Sequence, residues 1–257
     1  MEFLALLSRD VQSHRDQIAS RRDSLQTRVQ NLLQLAPVLS GYAVVLLAFA
    51  AFVVLNGGIV VGDRSAHEVA RHWAQPCYFA AFAAASLFAW LPTGWKSLRR
   101  APRGATAAAA LAATAAAAAA IHFGTVAHPY LLADNRHYTF YLWKNLLAPL
   151  RHLRPALAPG YAAAALLLSA PLATRRGALW TVALWLSAAA ALEPAGLLEL
   201  RYFTAPLMMT AVNAPLPPPR WLAVQAAAAA AVNGVTIYVF AARPFPWGDG
   251  STARFMW

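Results

Sequence analysis

Charged residues are scarce in this 257-residue chain, at 12% of the total against 60% hydrophobic residues. A soluble domain carries roughly 25% charged residues, so there are too few charges here to coat a water-soluble sphere. Cysteine is nearly absent as well, and the single Cys77 excludes an internal disulfide framework and a multi-cysteine metal site. Acidic residues number 10 against 21 lysines and arginines. This excess would suggest nucleic acid as the partner of a soluble chain, but it suggests cytoplasmic loops in a membrane chain.

The chain contains several long apolar runs without charged residues. Six stretches contain no Asp, Glu, Lys or Arg, namely 36–55, 74–91, 105–123, 157–173, 178–192 and 221–241. A spanning helix needs about 20 residues, so most of these are long enough, while 178–192 would have to borrow flanking residues. Residues 107–120 are almost all alanine, which gains little on leaving water, and we count them as a span because of their position. Residues 197–212 form a seventh span or a re-entrant segment. The sequence therefore predicts an all-α polytopic transmembrane protein with about six or seven spans.

The positive charges assign sides to the loops. Cations crowd the N-terminal segment and the short loops around Lys96 and Arg175, and such clusters mark the cytoplasmic side. By alternation, loops 56–73, 124–156 and 193–196 face the other compartment. We therefore expect a cytoplasmic segment 1–35, a membrane domain 36–241 and a C-terminal tail 242–257. The side of the tail depends on whether 197–212 spans.

The first of three polar clusters lies in loop 56–73. Asn56-Gly57-Gly58 can end a helix through left-handed backbone angles, and the loop then brings a polar group to the membrane face: Asp63, Arg64, His67 and Glu68. The glycines match neither a dinucleotide nor a P-loop pattern. Because His67 and His72 would lie about 140° apart on a helix, they do not form a zinc protease signature, and we assign no metal ligands.

The second cluster, 128–144, sets Asp134, Asn135, Arg136 and His137 beside an aromatic run that begins at Tyr138. Such a surface suits a sugar phosphate, since aromatic faces stack on the apolar side of a pyranose and an arginine fork can hold two phosphate oxygens. The alternative is an interfacial aromatic belt with snorkelling cations. Composition alone does not decide between the two.

The third cluster places Glu199, Arg201 and Tyr202 at the start of an apolar stretch. Charges at a membrane edge are costly unless they are paired or functional, which makes Glu199 and Arg201 candidate site residues. The alternative is an ordinary charged helix entrance.

Five stretches together carry a family resemblance. They are FVVLNGGIVVGDRSAHE (52–68), HPYLLADNRHYTFYLWK (128–144), LLELRYFTAP (197–206), NAPLPP (213–218) and RFMW (254–257). In this order they resemble the dolichyl-phosphate-glucose-dependent alpha-1,2-glucosyltransferases, which add the terminal glucose to the lipid-linked oligosaccharide of N-glycosylation. The resemblance implies a GT-C-like architecture in the endoplasmic reticulum membrane, with dolichyl phosphate glucose as donor, a dolichyl-diphosphate oligosaccharide as acceptor and no cofactor.

The resemblance covers only the C-terminal half of the family pattern, because family members are nearly twice as long. In the family, the acidic residues assigned to catalysis lie on a first lumenal loop near the N-terminus, and no counterpart precedes Ala36. We therefore expect an incomplete chain, or one that needs the missing N-terminal half as a partner.

The resemblance also implies a mechanism, an inverting displacement at the anomeric carbon in which a base takes the proton of the acceptor hydroxyl. That base corresponds to the missing loop's carboxylate, so the catalytic residue stays unassigned, with Asp63 and Asp134 as second choices. We expect Arg136 and Arg201, assisted by His137, to stabilise the departing lipid phosphate. The further residues expected to bind substrate are Asp63, Arg64, His67, Glu68, Asp134, Asn135, Tyr138, Glu199 and Tyr202. The apolar spans would flank the dolichyl chain.

Three other classes of function compete with glucose transfer. A transporter or channel also places polar residues beside spans, but the six clear spans carry no acidic residue. A non-catalytic membrane scaffold is the natural role for a half-length chain. A soluble nucleic-acid protein explains the net charge of +11 but not six uncharged apolar stretches, so we expect membrane lipid, and not nucleic acid, as a partner.

Overall fold

The computed structural model describes residues 27, 29–30, 33–37, 39–61 and 70–256. The chain divides into two units, 1–64 and 65–257. Helices dominate both units, and the all-α prediction is confirmed. Four residues of the first predicted cluster lie outside the described residues: Asp63, Arg64, His67 and Glu68.

The first unit contains helix α1, Leu39–Asn56, which is long and apolar enough to cross a membrane. It ends as its sequence predicts. Gly57 has a φ of 70°, and the N–H of Gly58 donates to the carbonyl of Val53 at 3.0 Å, the pattern of a Schellman cap. The Asn56 side chain then donates to the carbonyl of Val60 at 2.9 Å, which fixes the first residues after the helix.

The second unit contains nine α-helices among its described residues. They are α2 (Gln75–Ser86), α3 (Leu91–Arg100), α4 (Arg103–Gly124), α5 (Pro129–Ala133), α6 (Tyr138–Leu142), α7 (Ala158–Arg176), α8 (Ala178–Leu192), α9 (Thr204–Asn213) and α10 (Pro219–Ala242). Short 3-10 turns occupy Phe88–Trp90, Arg154–Leu157 and Leu200–Phe203, and a π-helical turn occupies Trp143–Leu147. After α10, strands β1 (Phe245–Pro246) and β2 (Thr252–Ala253) pair antiparallel, with Phe245 opposite Ala253.

Four helices of the described chain are long and apolar enough to span a membrane: α1, α4, α7 with its preceding turn, and α10. The predicted span at 74–91 instead bends by 78° between α2 and the helical stretch Phe88–Arg100, and the two parts make a fifth candidate if they count together. Pro92 lies beyond this break, in the first turn of α3, where proline is tolerated because its missing N–H would have no helical partner. Helix α8 has 15 residues. The described part of the chain thus has four or five helices long and apolar enough to be full-length spans, together with shorter apolar segments, as in a multi-pass membrane protein.

Helix α7 lies at the centre and packs against α2, α3, α4, α8 and α9. At its closest contact, Gly94 of α3 lies so near the backbone of Leu167 that a Cβ on this glycine would overlap the Leu167 carbonyl. The aromatic core is built around Phe79, whose ring centroid lies 5.5 Å from Trp185 and 5.8 Å from Phe203. Because Phe203 belongs to the 3-10 turn before α9, this core anchors the turn that carries the third polar cluster.

Segment 197–213 passes from one end of the bundle to the other, although α9 alone has 10 residues. At its start, the carbonyl of Leu197 accepts a hydrogen bond from Gln75 Nε2 at 2.9 Å, beside the first turn of α2. At its end, the carbonyl of Ala214 accepts from Arg175 Nη1 at 2.5 Å, beside the last turn of α7. Helices α2 and α7 run in the same direction, because the rings of Tyr78 and Tyr161, near their starts, lie 6.1 Å apart. The two hydrogen bonds are therefore at opposite ends of the bundle.

Helix α10 runs back along the bundle and brings the C-terminal tail to the end where the second polar cluster lies. Near its start, Gln225 Oε1 accepts from the backbone N–H of Ala89 at 3.0 Å. Near its end, the hydroxyl of Thr236 is hydrogen-bonded to that of Tyr138. The tail, whose side the sequence left open, thus lies beside loop 124–156.

Candidate functional site

The loops predicted to share one compartment contact one another in the structure. The backbone N–H of Ala70 donates to the carbonyl of Pro194 at 3.0 Å, and that of His72 donates to Glu193 at 3.0 Å. The N–H of Ala74 donates to the carbonyl of Gly124 at 3.2 Å. The ends of three predicted loops, 56–73, 124–156 and 193–196, therefore form one continuous platform.

Two fully buried polar side chains hold this platform together. Gln75 Nε2 donates to the carbonyls of Ala195 and Leu197 at 3.1 and 2.9 Å. His72 Nδ1 lies 3.1 Å from the carbonyl of Gly196. Burial lowers the pKa of His72 below its ordinary value, so this imidazole is neutral near pH 7 and donates from Nδ1.

Asp134 organises the second cluster. It ends α5, and its Oδ1 accepts the backbone N–H of Arg136 at 3.0 Å, an Asx turn that reverses the chain before α6. The guanidinium of Arg136 adds two bonds, Nε to Oδ1 at 2.9 Å and Nη2 to Oδ2 at 2.7 Å. His137 Nε2 lies 3.2 Å from the same Oδ2.

These contacts change the chemistry open to Asp134. Hydrogen bonding from Arg136 is the main cause that lowers the pKa of the Asp134 carboxyl to about 2. A carboxylate so acidic, with both oxygens already accepting hydrogen bonds, takes up a proton poorly at neutral pH. The geometry therefore disfavours Asp134 as the base and suits it to orienting Arg136 and His137.

Two adjoining cavities join the second cluster to the third. The larger, of about 270 Å³, is lined by Tyr130, Leu131, Ala133, Asp134, His137, Thr139, Leu197, Glu199, Arg201 and Trp247. The smaller, of about 220 Å³, is lined by His137, Tyr138, Thr139, Glu199, Leu200, Arg201 and Met256. Four residues line both: His137, Thr139, Glu199 and Arg201. Side chains about 60 residues apart in sequence thus meet in one place.

Glu199 and Arg201 sit on an edge that the hydrophobic core holds in position. Leu198 and Phe203, on either side of them, are buried, so the charged side chains between these anchors lie at the rim of the core. Arg201 Nε lies 3.4 Å from Glu199 Oε2. The Glu199 side chain is 13% exposed and that of Arg201 is 73% exposed. The carboxylate is therefore enclosed, and the cation remains accessible at the cavity mouth.

Arg136, which the sequence favoured for the phosphate, does not line either cavity. Its guanidinium lies between the Asp134 carboxylate and the ring of Trp247, with Cζ 4.8 Å from the ring centroid. Two other expected residues, Asn135 and Tyr202, are also outside both linings. The Oδ1 of Asn135 is buried without a hydrogen-bond partner among the described residues, and the Tyr202 ring lies below Arg201, with Cζ 5.9 Å from its centroid.

Sequence reasoning assigned no individual role to eight of the residues that line the cavities, namely Tyr130, Leu131, Ala133, Thr139, Leu197, Leu200, Trp247 and Met256. For Met256 a signal was present, because residues 254–257 belong to the stretches that carried the family resemblance. Trp247 lies outside those stretches. Within the described part of the chain, no group of three or more His, Cys, Asp or Glu side chains is placed to hold a metal ion.

Comparison with known proteins gives the following relatives. A family model described as DIE2/ALG10 family matches residues 6–212. A Rattus norvegicus protein named Dol-P-Glc:Glc(2)Man(9)GlcNAc(2)-PP-Dol alpha-1,2-glucosyltransferase is 37% identical over 232 residues, covering 89% of this chain and 48% of the relative. Proteins of the same name from Mus musculus and Arabidopsis thaliana are 36% and 32% identical, covering 89% and 85% of this chain and 48% and 44% of the relatives.

The chain spans about half the length of the curated relatives it matches. No solved structure gives a significant match. The family model nevertheless covers well over half of the chain, including the second and third polar clusters, and the sequence-based resemblance is confirmed. The chain belongs to the DIE2/ALG10 family.

Proposed function

We propose that this chain acts in the endoplasmic reticulum membrane in the transfer of glucose from dolichyl phosphate glucose to the lipid-linked oligosaccharide, forming an alpha-1,2 linkage. The names of the relatives support this reaction for the family. The observation that carries the proposal is the exposed Arg201 guanidinium, which lines both cavities beside the enclosed Glu199. This arrangement offers a fixed cation to a lipid phosphate at the end of a membrane bundle.

The reaction transfers one glucosyl group with inversion. The acceptor hydroxyl attacks the anomeric carbon of the β-linked donor, and the bond from that carbon to the phosphate oxygen breaks. The electron pair remains on this oxygen, so dolichyl phosphate leaves with an added negative charge. A guanidinium preset at that position stabilises the developing charge, and we assign this role to Arg201.

His137 is the second group that we place against the phosphate. Its ring lines both cavities and is held by the ionised Asp134. Arg136 in turn holds Asp134 through a two-point contact. We therefore assign Arg136 and Asp134 to positioning His137. Glu199, which lines both cavities, is suited to accept hydrogen bonds from sugar hydroxyls.

The proton of the attacking hydroxyl needs a separate acceptor. Asp134 is a weak base for the reasons given above, and Asp63 lies outside the described residues. The family resemblance places the catalytic carboxylate on another lumenal loop, and we propose that a carboxylate of that kind is the base.

The test is glucose transfer in microsomes that contain this chain together with the N-terminal half of a family member, with radiolabelled dolichyl phosphate glucose and the Glc(2)Man(9)GlcNAc(2) lipid as acceptor. Arg201→Ala should lower the rate about 100-fold, the usual cost of losing one charge-stabilising donor, and Arg201→Lys should restore part of it. Lys144→Ala removes another exposed cation near the same loop but outside both cavities and should leave the rate unchanged. Equal rates for Arg201→Ala and the unaltered chain would contradict the proposal, as would donor binding without any transfer.

A further inference from the structure

We infer that the C-terminal tail forms one wall of the sugar pocket and that Trp247 contacts the glucosyl group of the donor. This inference rests on the proposed function, and it adds a residue for which the sequence gave no expectation. It is carried by the way the tail is folded, by the contacts that fasten it and by the division of the two cavities.

The tail folds into a small hairpin that presents Trp247. Strands β1 and β2 pair on either side of a tight turn, in which the N–H of Trp247 donates to the carbonyl of Ser251 at 2.7 Å and that of Gly250 donates to Trp247 at 2.9 Å. Gly250 has a φ of 83°, a conformation that other residues rarely adopt. Asp249 Oδ1 accepts the N–H of Ser251 at 2.9 Å. The indole thus stands at a fixed point of the turn.

Three contacts fasten the hairpin to the rest of the molecule. Arg254 Nη1 donates to the carbonyls of Phe240 and Ala241 at 2.8 and 2.9 Å, which satisfies the last turn of α10. The N–H of Met256 donates to the carbonyl of Arg136 at 2.6 Å. The Phe255 ring packs edge-on against Tyr138, with centroids 4.9 Å apart. The tail is therefore attached to the same short stretch, residues 136–138, that supplies His137 to both cavities.

Trp247 lies at the boundary between this attachment and the larger cavity. The Arg136 guanidinium packs over its ring at 4.8 Å, while the indole also lines the cavity together with Asp134 and Glu199. An aromatic face beside carboxylate acceptors matches the two surfaces of a pyranose, which has an apolar face of C–H groups and a rim of hydroxyl donors.

The two cavities differ in their lining residues, and this difference indicates which part of the donor each one binds. Arg201 and His137 line both and mark the place of the phosphate. The smaller cavity adds Leu200 and Met256, which suit the first isoprenoid unit, whereas the larger adds Trp247 and Asp134, which suit the glucosyl group. The donor would then bind with its phosphate at the shared residues, its sugar in the larger cavity and its lipid end in the smaller one.

The test compares two ligands on the purified full chain in detergent micelles, dolichyl phosphate glucose and dolichyl phosphate without the sugar. Trp247→Ala should weaken binding of the glucosylated lipid about 10-fold, as expected for the loss of one stacking side chain, and leave binding of dolichyl phosphate unchanged. Trp247→Phe, which keeps an aromatic face, should restore most of the affinity. Trp95→Ala, which removes a 58% exposed indole on α3, should change neither affinity.

The outcomes separate this inference from the proposed function. If Trp247→Ala weakens both ligands equally, Trp247 acts only through Arg136 or through folding, and the sugar contact is refuted. Unchanged binding of both ligands refutes it as well. Arg201→Ala provides the independent arm, because it should weaken both ligands. If it weakens neither, the phosphate assignment fails, while the ratio of the two affinities in the Trp247 variants still reports on the sugar contact.

Discussion

Asp134 is held as an anion by three hydrogen bonds from Arg136 and by His137, and its carboxyl pKa falls to about 2. In the unfolded chain the pKa of an aspartic acid is about 3.9. Because the folded-state pKa is the lower one, the ionised carboxylate stabilises the folded protein above about pH 4, and this contribution is lost as the pH falls from about 4 toward 2.

The corresponding prediction concerns Asp134→Asn, which keeps the shape of the side chain and removes its charge. At pH 6 the variant should unfold with a free energy lower by about 1 kcal/mol, the scale of a partly exposed ion pair. The difference should shrink as the pH approaches about 2, because the unaltered carboxyl then becomes protonated as well. Thermal unfolding in detergent at several pH values measures this, and a difference that stays constant between pH 6 and pH 3 would contradict it.

The sequence predicted the polar clusters but not which of their residues meet in the structure. Asp134, His137, Glu199 and Arg201 were all expected in the site, and all four line a cavity. Arg136 was expected against the phosphate, yet its fork contacts Asp134, two residues earlier in the chain, and its face contacts Trp247. Neither contact follows from residue type alone, because both depend on a loop turn and on a tail that arrives from the far end of α10.

At the scale of whole elements, the sequence predicted some helices and helix ends correctly and missed others. The alanine-rich stretch forms the continuous 22-residue helix α4, as alanine's helix propensity favours. The end of α1 at Asn56-Gly57-Gly58 was also predicted. The break between α2 and α3 was not, because the apolar run continues through it and Pro92 lies beyond it, in the first turn of α3. Segment 197–213 stayed ambiguous because its crossing combines a 3-10 turn with a short helix, and neither alone has the length of a span.

The close packing of α3 against α7 at Gly94 predicts the effect of a substitution there. Gly94→Ala places a Cβ on the Leu167 carbonyl of α7, and backbone atoms cannot move aside as a flexible side chain can. We expect the variant to lose about 1 to 3 kcal/mol of unfolding free energy. The measurement is thermal unfolding of the purified protein in detergent.

Gly234→Ala is the matched control for Gly94→Ala. Gly234 lies inside α10 and nothing stands within 4 Å of its added Cβ, so alanine's better helix propensity should make this change neutral or stabilising by up to about 1 kcal/mol. Equal destabilisation by both changes would show that the α3–α7 contact is not the cause.

On the scale of the whole molecule, the described acidic side chains all lie at one end of the bundle, where they share it with cations such as Arg136 and Arg201, whereas the other end carries described cations alone. The acidic residues among them, Asp134, Glu193, Glu199 and Asp249, lie in the platform loops, the cavities or the tail. The clustered cations lie in the second half of α3, at the start of α4 and in the last turn of α7: Lys96, Arg99, Arg100, Arg103, Arg175 and Arg176. The end that carries cations alone is the one that the loop charges predict to be cytoplasmic.

Labelling of introduced cysteines tests this topology. In a Cys77→Ala background, Ser251→Cys in the tail and Asn145→Cys in the π-helical turn after α6 should react with a membrane-impermeant maleimide from the same side of sealed microsomes. Lys96→Cys should react only from the opposite side, the cytoplasmic one. All three positions are exposed. If Ser251→Cys reacts together with Lys96→Cys, segment 197–213 does not cross, and the tail cannot form part of the site.

Gln75 is synthesised well before the peptide groups that it holds, since 120 residues separate it from Ala195. In the loop after α8, two carbonyls accept hydrogen bonds from this side chain and not from a regular helix. Carbonyls without a hydrogen-bond donor are poorly tolerated where lipid replaces water. Gln75 has thus already been synthesised when the ribosome makes this loop. We therefore expect the late segment to take its final position only after the early one has been inserted.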